Sequence, residues 1–146
     1  MKVFIASDHA AFECKNELID HLINQGHKVK DLGPFNSERC NYPDYAKYVA
    51  EAVSKNDTKG ILLCGSGIGV SIVANRFAGI RAALCRSSED AKLSREHNDS
   101  NIICFGARVS TLEAIKEMTD TWLATEFSQG RHSERIELFN NLGEKL

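Results

Sequence analysis

The sequence lacks an excess of either charge, a long apolar run and, almost entirely, proline: 18 Lys and Arg stand against 20 Asp and Glu for a net charge of −2, with two prolines in 146 residues. A near-neutral chain offers no basic field to nucleic acid or to an anionic membrane surface, so neither is an expected partner. Nowhere do about 18 apolar residues run together, and no membrane span is expected. Met1-Lys2-Val3-Phe4-Ile5-Ala6 enters a strand pattern at once, without a signal-peptide cleavage pattern, which reads as a cytoplasmic chain. The five cysteines, Cys14, Cys40, Cys64, Cys85 and Cys104, are odd in number and unclustered, with no C-x-x-C and no metal-finger spacing. They predict reduced thiols and no disulfide framework. Repeats and low-complexity segments are also missing, and with 42% hydrophobic residues the chain reads as one domain over 1–146 with a core of its own.

What is present is an alternation of apolar runs with helical stripes. Val3 to Ser7 reads as a buried strand, followed by Asp8-His9-Ala10 and a helix striped by Phe12, Leu18, Ile19, Leu22 and Ile23 that Gly26 ends. A second strand covers His27 to Leu32, and a polar loop leads to Pro43, where a helix with Tyr45, Tyr48, Val49, Ala52 and Val53 begins and Asn56-Asp57 closes it. Further strands are expected at Ile61 to Cys64, Ile80 to Cys85 and Asn101 to Phe105. Ser87 caps a helix running to about Glu96, and Leu112, Ile115, Met118, Trp122 and Leu123 stripe a long one broken by Gly130. The tail, Arg131 to Leu146, reads as one more helix whose Ile136, Leu138, Phe139 and Leu142 need a surface to dock on. Five alternations with continuous apolar strands predict an α/β fold: a parallel sheet covered on both faces. Ligands of such sheets bind beyond the carboxyl ends of the strands.

The chain is organised around Ile61-Leu62-Leu63-Cys64-Gly65-Ser66-Gly67-Ile68-Gly69-Val70-Ser71, a strand feeding a helix through a glycine-rich turn. Gly65, Gly67 and Gly69 let backbone N–H groups approach a ligand, and the helix start adds unpaired donors and positive dipole. The spacing fits neither G-x-G-x-x-G, because Val70 stands where the third glycine belongs, nor a P-loop, because G-K-[ST] is absent. It reads either as an anion or oxyanion site or as a tight turn. Cys64 is either a small buried hydrophobe or, with the helix start favouring its thiolate, a general base; Ser66 brings a hydroxyl beside it. Its four companions lack this setting.

His21 and His27 have no chemical neighbours in sequence and read as structural. His9 follows Asp8 and His97 precedes Asn98, both at element ends, and loops at the carboxyl edge of the sheet are expected to bring the two histidines near Cys64. Arg131 and Arg135, one turn apart, either share a phosphate or form a solvated face; Arg108, after Gly106-Ala107, is the better-placed cation.

Taken together, Ser7-Asp8-His9-Ala10-Ala11, Asn41-Tyr42-Pro43-Asp44, Cys64 to Asn75, Gly79-Ile80-Arg81-Ala82, Ser94-Arg95-Glu96-His97-Asn98-Asp99 and Gly130-Arg131-His132 closely resemble ribose 5-phosphate isomerase type B over nearly the whole chain. The wider family includes galactose 6-phosphate and allose 6-phosphate isomerases. The resemblance implies a three-layer Rossmann-like fold with a five-stranded sheet, no metal and no cofactor, and a homodimer or dimer of dimers with shared active sites, the C-terminal helix docking on the partner chain. It implies an aldose–ketose isomerase in which His97, helped by Asp8, opens the sugar ring and Cys64 moves a proton between C2 and C1 through a cis-enediolate. Gly65 to Gly69 with the Ser66 hydroxyl then become an oxyanion hole, supported by Asn98, while Tyr42 lines the sugar site. The phosphate falls to His9 and Arg108 with Arg131 and Arg135, some supplied by the neighbouring subunit. Part of the family lacks the loop cysteine and carries a glutamate where this chain has Val70, so this chain resembles the cysteine type; Asn41 stands where an acidic residue often precedes Tyr-Pro. A six-carbon sugar-phosphate isomerase and a non-catalytic sugar-phosphate-binding module are the alternatives.

Overall fold

In a computed structural model, which describes residues 1–145, the apolar runs form β1 (Lys2–Ser7), β2 (Lys28–Asp31), β3 (Lys59–Cys64), β4 (Ala82–Leu84) and β5 (Ile102–Gly106). All pair in parallel in the order β2-β1-β3-β5-β4. The three central strands are the continuous apolar runs, because both their faces are covered; β2, with the alternating sequence Lys-Val-Lys-Asp, lies at an edge. The pleat sends successive side chains to opposite faces. Val3, Ile5, Ile61, Leu63, Ile103 and Phe105 pack on α1 (Phe12–Asn24), α4 (Ser88–Glu96) and α5 (Leu112–Ala124), with Trp122 fully buried. Phe4, Ala6, Leu62, Cys64, Ile102 and Cys104 pack on α2 (Tyr42–Asn56) and α3 (Ile68–Ala74). This is the three-layer α/β arrangement expected from the alternation, and no helix among the described residues is long and apolar enough to cross a membrane.

Local chemistry sets the boundaries. Ser87 Oγ accepts the Asp90 N–H and Thr111 Oγ1 the Ala114 N–H, each at 3.1 Å, opening α4 and α5. Asp57, in the left-handed conformation, closes α2. At the short edge strand β4, the Asn75 amide accepts the Ala82 N–H (2.8 Å) and donates to the Ala82 carbonyl (2.9 Å), standing in for a neighbouring strand.

The chain beyond α5 departs from expectation. That helix ends at Ala124 rather than Gly130, because Thr125 turns extended and Arg95 Nε donates to its carbonyl (3.1 Å). Residues 125–130 then form a strap leading to α6 (Arg131–Glu137). The tail helix expected to reach Leu146 stops at Glu137; Leu146 itself lies outside the described residues. Past α6 the backbone is committed elsewhere: Glu144 donates to the Arg76 carbonyl and accepts from Ala78, and Gly143 is left-handed at φ +100°. Leu138, Phe139 and Leu142 remain exposed, so the apolar side read from the tail is not covered by its own chain.

An ion pair between a fully buried lysine and a half-buried aspartate locks the β2 end of the sheet. Lys15 on α1 has no exposed surface, and its Nζ donates to both Asp31 carboxylate oxygens (2.8 and 2.9 Å) and to the Pro34 carbonyl (2.7 Å). Removing one partner of a desolvated pair leaves the other uncompensated. Lys15→Ala is therefore expected to lower unfolding free energy by about 3 kcal/mol, read from urea midpoints. Lys55→Ala, which breaks the exposed Lys55–Glu51 pair, should stay within about 0.5 kcal/mol of the parent chain.

Candidate active site

The direction of the chain reverses between β1 and β3, and the residues following those two strands meet at the carboxyl edge of the sheet. Asp8 continues the ladder one step past β1, its N–H donating to the Leu63 carbonyl (3.1 Å). The buried Asp8 carboxylate accepts the Ala11 N–H (3.2 Å), capping a single 3-10 turn over His9–Ala11. That turn holds His9 beside the polar loop, where the Cys40 N–H donates to Nδ1 at 3.2 Å. Nδ1 also lies 3.3 Å from the Cys40 carbonyl, so the Cys40 peptide group holds the ring through Nδ1 and leaves Nε2 for a ligand.

Cys64 ends β3 with 4% of its surface exposed, and the Gly67 N–H donates to its sulfur at 3.1 Å. The turn depends on glycine at two points. Gly67 has φ +79°, and a Cβ there would lie 2.6 Å from Leu84 Cδ1 and 2.8 Å from the Phe105 carbonyl carbon; a Cβ on Gly106 would lie 2.5 Å from the Ser66 carbonyl oxygen. The Ile68 N–H donates to Ser66 Oγ (3.1 Å), which leaves the hydroxyl proton free to be donated outward. Among the described residues, the N–H groups of Gly65, Ser66, Gly69 and Val70 have no acceptor. The loop is thus a set of unpaired donors around one thiol.

Two side chains wall this set in. The Tyr42 ring lies over Gly69, where a Cβ would come within 2.6 Å of it, and the Arg108 side chain lies over Gly65. Arg108 is anchored by its own N–H to the Gly65 carbonyl (3.0 Å), as Ala107 is to Cys64 (2.9 Å). Arg86, which sequence reasoning passed over, donates from Nη2 to the Ser66 carbonyl (3.0 Å) from the end of β4. Burial pushes Cys85 up to about 12 and Cys104 well above its ordinary value, and burial foremost also raises Cys14 and Cys40.

The structure does not bring His97 to Cys64, and here the sequence expectation is corrected. Helix α4 leaves the carboxyl end of β4 and runs back along the sheet, so His97 at its end lies at the amino edge, beside the start of β5. The neighbouring Asn101 carbonyl accepts the Gly60 N–H at the beginning of β3, marking that edge. The length of β3, on the order of 20 Å at 3.3 Å per residue, separates the two groups. Asp8, His9, Tyr42, Cys64 to Gly69 and Arg108 stand at one end; His97, Asn98, Arg131 and Arg135 stand at the other.

The second group has its own scaffold, which the sequence reading did not identify. Asp99 is left-handed (φ +46°), and its carboxylate accepts from Arg95 (2.8 Å) and Arg81 (3.3 Å). Ser100 Oγ bonds Ser94 Oγ and the Trp122 indole N–H, each at 2.8 Å, in the core. The four-residue spacing of Arg95 and Asp99 was the available signal. This framework leaves His97 and Asn98 exposed side by side, and a cleft of about 430 Å³ runs from Asn98 past Arg81 to Phe139 and Leu142. His132 stacks on His97 with ring centroids 4.4 Å apart; burial first, then His97, Arg131 and Arg135, hold its imidazole below the usual value. Arg131 and Arg135 are exposed on α6.

A family model described as Ribose/Galactose Isomerase matches residues 3–139. The chain is 47% identical over 137 residues to ribose-5-phosphate isomerase B of Escherichia coli, covering 93% of this chain and 92% of that one. Its fold matches the ribose-5-phosphate isomerase B structure of Clostridium thermocellum with a TM-score of 0.94 at 45% identity, covering 96% and 95% of the two chains. It matches the Mycoplasma genitalium ribose-5-phosphate isomerase B with bound ribulose-5-phosphate with a TM-score of 0.91 at 38% identity, covering 94% and 92%.

The close approaches at the glycine turn make a contrast in cost. Gly67→Ala combines left-handed strain with collision against backbone and is expected to destabilise by about 3 kcal/mol. Gly79→Ala, at φ +81° with nothing within 4 Å, carries only the strain and should cost about 1 kcal/mol. Chemical denaturation of the two variants reads the difference.

Proposed function

The chain belongs to the ribose/galactose isomerase family, and from that membership we propose that it interconverts ribose 5-phosphate and ribulose 5-phosphate as an aldose–ketose isomerase. The observation that carries this reading is the Cys64 thiol ringed by unpaired N–H donors. Enolisation of an open-chain sugar needs a base at C2 and donors at the two adjacent oxygens, where negative charge develops as the proton leaves. Cys64 takes the proton from C2; the C–H electron pair forms the C1–C2 double bond and the carbonyl electrons move to O1. The N–H groups of Gly65, Ser66 and Gly69 and the Ser66 hydroxyl hold the enediolate oxygens. The O2 proton passes to O1, and the thiol returns its proton to C1 as the electrons left on O2 form the C2 carbonyl and the C1–C2 double-bond pair takes up that proton. Tyr42 lines the sugar site, and His9 Nε2 and Arg108 bind the phosphate at its rim.

Ring opening by His97 with Asp8, oxyanion support from Asn98 and phosphate contacts from Arg131 and Arg135 require a second copy of the chain, because one chain keeps these groups at opposite edges of its sheet. The exposed Ile68 and Ile72 beside the glycine turn, with the uncovered Leu138, Phe139 and Leu142 of the tail, are apolar surface suited to that contact. The chain thus acts as one isomerase domain per subunit in a homodimer with shared sites. Five free cysteines fit a cytoplasmic setting.

In deuterated water, the protein is expected to convert ribose 5-phosphate to ribulose 5-phosphate with solvent label at C1, followed by NMR. Cys64→Ala should lower turnover by about 10²- to 10⁴-fold, the range for a general base; retained labelling in that variant removes Cys64 from the role. A shared site makes a second outcome specific. Cys64→Ala and His97→Ala proteins, each impaired alone, should regain activity when dissociated and reassociated together, since a mixed dimer holds one site with both residues intact. Mixed dimers without activity would refute sharing.

A further inference from the structure

The proposed chemistry uses Arg131 and Arg135 of α6 but not the histidine between them. His132 lies on the inner side of that helix and is 9% exposed, whereas His97, against which it stacks, is exposed. The rings are 4.4 Å apart between centroids with 18° between their planes. Among the described residues, no hydrogen bond holds either imidazole, so the stack is what restrains the His97 ring. His97 otherwise hangs from the last turn of α4 by its backbone alone, its N–H donating to the Leu93 carbonyl (2.9 Å).

We propose that His132 is a positioning residue for His97, its ring serving as the platform that holds the His97 imidazole in the orientation needed to open the furanose ring. The placement of His132 does not depend on the stack itself. The strap over 125–130 is tied to the end of α4 by Arg95 Nε to the Thr125 carbonyl (3.1 Å) and by the Ser128 N–H to the Glu96 carbonyl (3.0 Å). Gln129 (φ +57°) and Gly130 (φ +59°, ψ −129°) then turn the chain into α6, the second in a region open only to glycine. Helix α6 is therefore delivered to His97 by backbone tethers, and the ring at position 132 stacks on it. Burial first, then His97, Arg131 and Arg135, hold the His132 imidazole below its usual range.

This rests on His97 as the ring-opening residue, and the test separates the two ideas. Ribulose 5-phosphate has no ring to open, so exchange of its C1 proton with deuterated solvent needs Cys64 and the glycine turn but not His97. Turnover of ribose 5-phosphate needs both. His97→Ala is expected to lose ribose turnover by about 100-fold or more while retaining C1 exchange within a few-fold. His132→Ala should show the same split at about tenfold, His132→Phe should recover most of it by restoring a stacking ring, and the double variant should be no slower than His97→Ala. Circular dichroism and thermal midpoints establish that each variant is folded. If His97→Ala slows both reactions equally, the ring-opening role fails and the proposal fails with it. If His97→Ala splits them and His132→Ala either slows both alike or changes ribose turnover less than twofold, the positioning role alone is overturned. Failure of His132→Phe to recover the split also overturns it.

Discussion

The site depends on two backbones passing closer than any side chain allows. Where β3 and β5 end, Gly106 lies against the Ser66 carbonyl and Gly67 against the Phe105 carbonyl carbon, so neither position has room for a Cβ. This contact lets the turn after Cys64 fold back onto the neighbouring strand instead of running out into solvent. Three consequences follow from it. The Gly67 N–H reaches the Cys64 sulfur, Arg108 is anchored on Gly65, and the N–H groups of Gly65, Ser66, Gly69 and Val70 are left without internal partners among the described residues. An ordinary strand-to-helix loop would satisfy some of those donors with its own carbonyls; this one has spent its carbonyls on Ala107, Arg108 and Arg86.

A parallel sheet imposes the complementary constraint. Every strand points the same way, so every loop that follows a strand is at one edge and every loop that follows a helix is at the other. Chemistry carried by both kinds of loop is split across the sheet. Asp8 and Cys64 follow strands; His97 and Asn98 follow α4. Arg131 and Arg135 come after a strap tethered to α4 and share its edge. On the proposed reading, assembly answers this constraint, since a second copy supplies at the carboxyl edge of one sheet what its own topology holds at the amino edge.

The legible part of the sequence was what local physics decides. Continuous apolar runs marked β1, β3 and β5 because both faces of a central parallel strand are covered, and Ser87, Gly26 and Asp57 marked helix ends by their own conformational preferences. The glycine turn was legible because its spacing and its thiol occur in consecutive residues. What escaped was tertiary. Nothing local to Lys15 announces a partner sixteen residues away, and nothing local to Ser100 announces Trp122. The placement of His97 near Cys64 failed for a topological reason: a histidine at the end of a helix was assigned to the edge where helices begin. The tail was read as longer helix than it is because its apolar spacing is helical, whereas its backbone is drawn off by Arg76 and Ala78.

The buried polar groups around residues 94–100 show why such a turn needs so much support. A left-handed aspartate is uncommon, and the turn it makes exposes two polar side chains in succession. Two guanidiniums grip the Asp99 carboxylate, Arg95 also donates to the Ser100 carbonyl (2.6 Å), and Ser100 is pinned from below by Ser94 and Trp122. Each of those groups is satisfied, so the network rigidifies without leaving a buried donor unpaired. The framework reaches only as far as the backbone of His97. Its side chain lies beyond the last guanidinium contact, and its ring stacks on the ring of His132. Rigidity at the end of α4 is thus carried by hydrogen bonds up to the Cα of His97 and by an aromatic contact after it. That division suits a residue whose ring nitrogens must stay free to exchange protons, because a stacked neighbour restrains an imidazole without occupying either nitrogen.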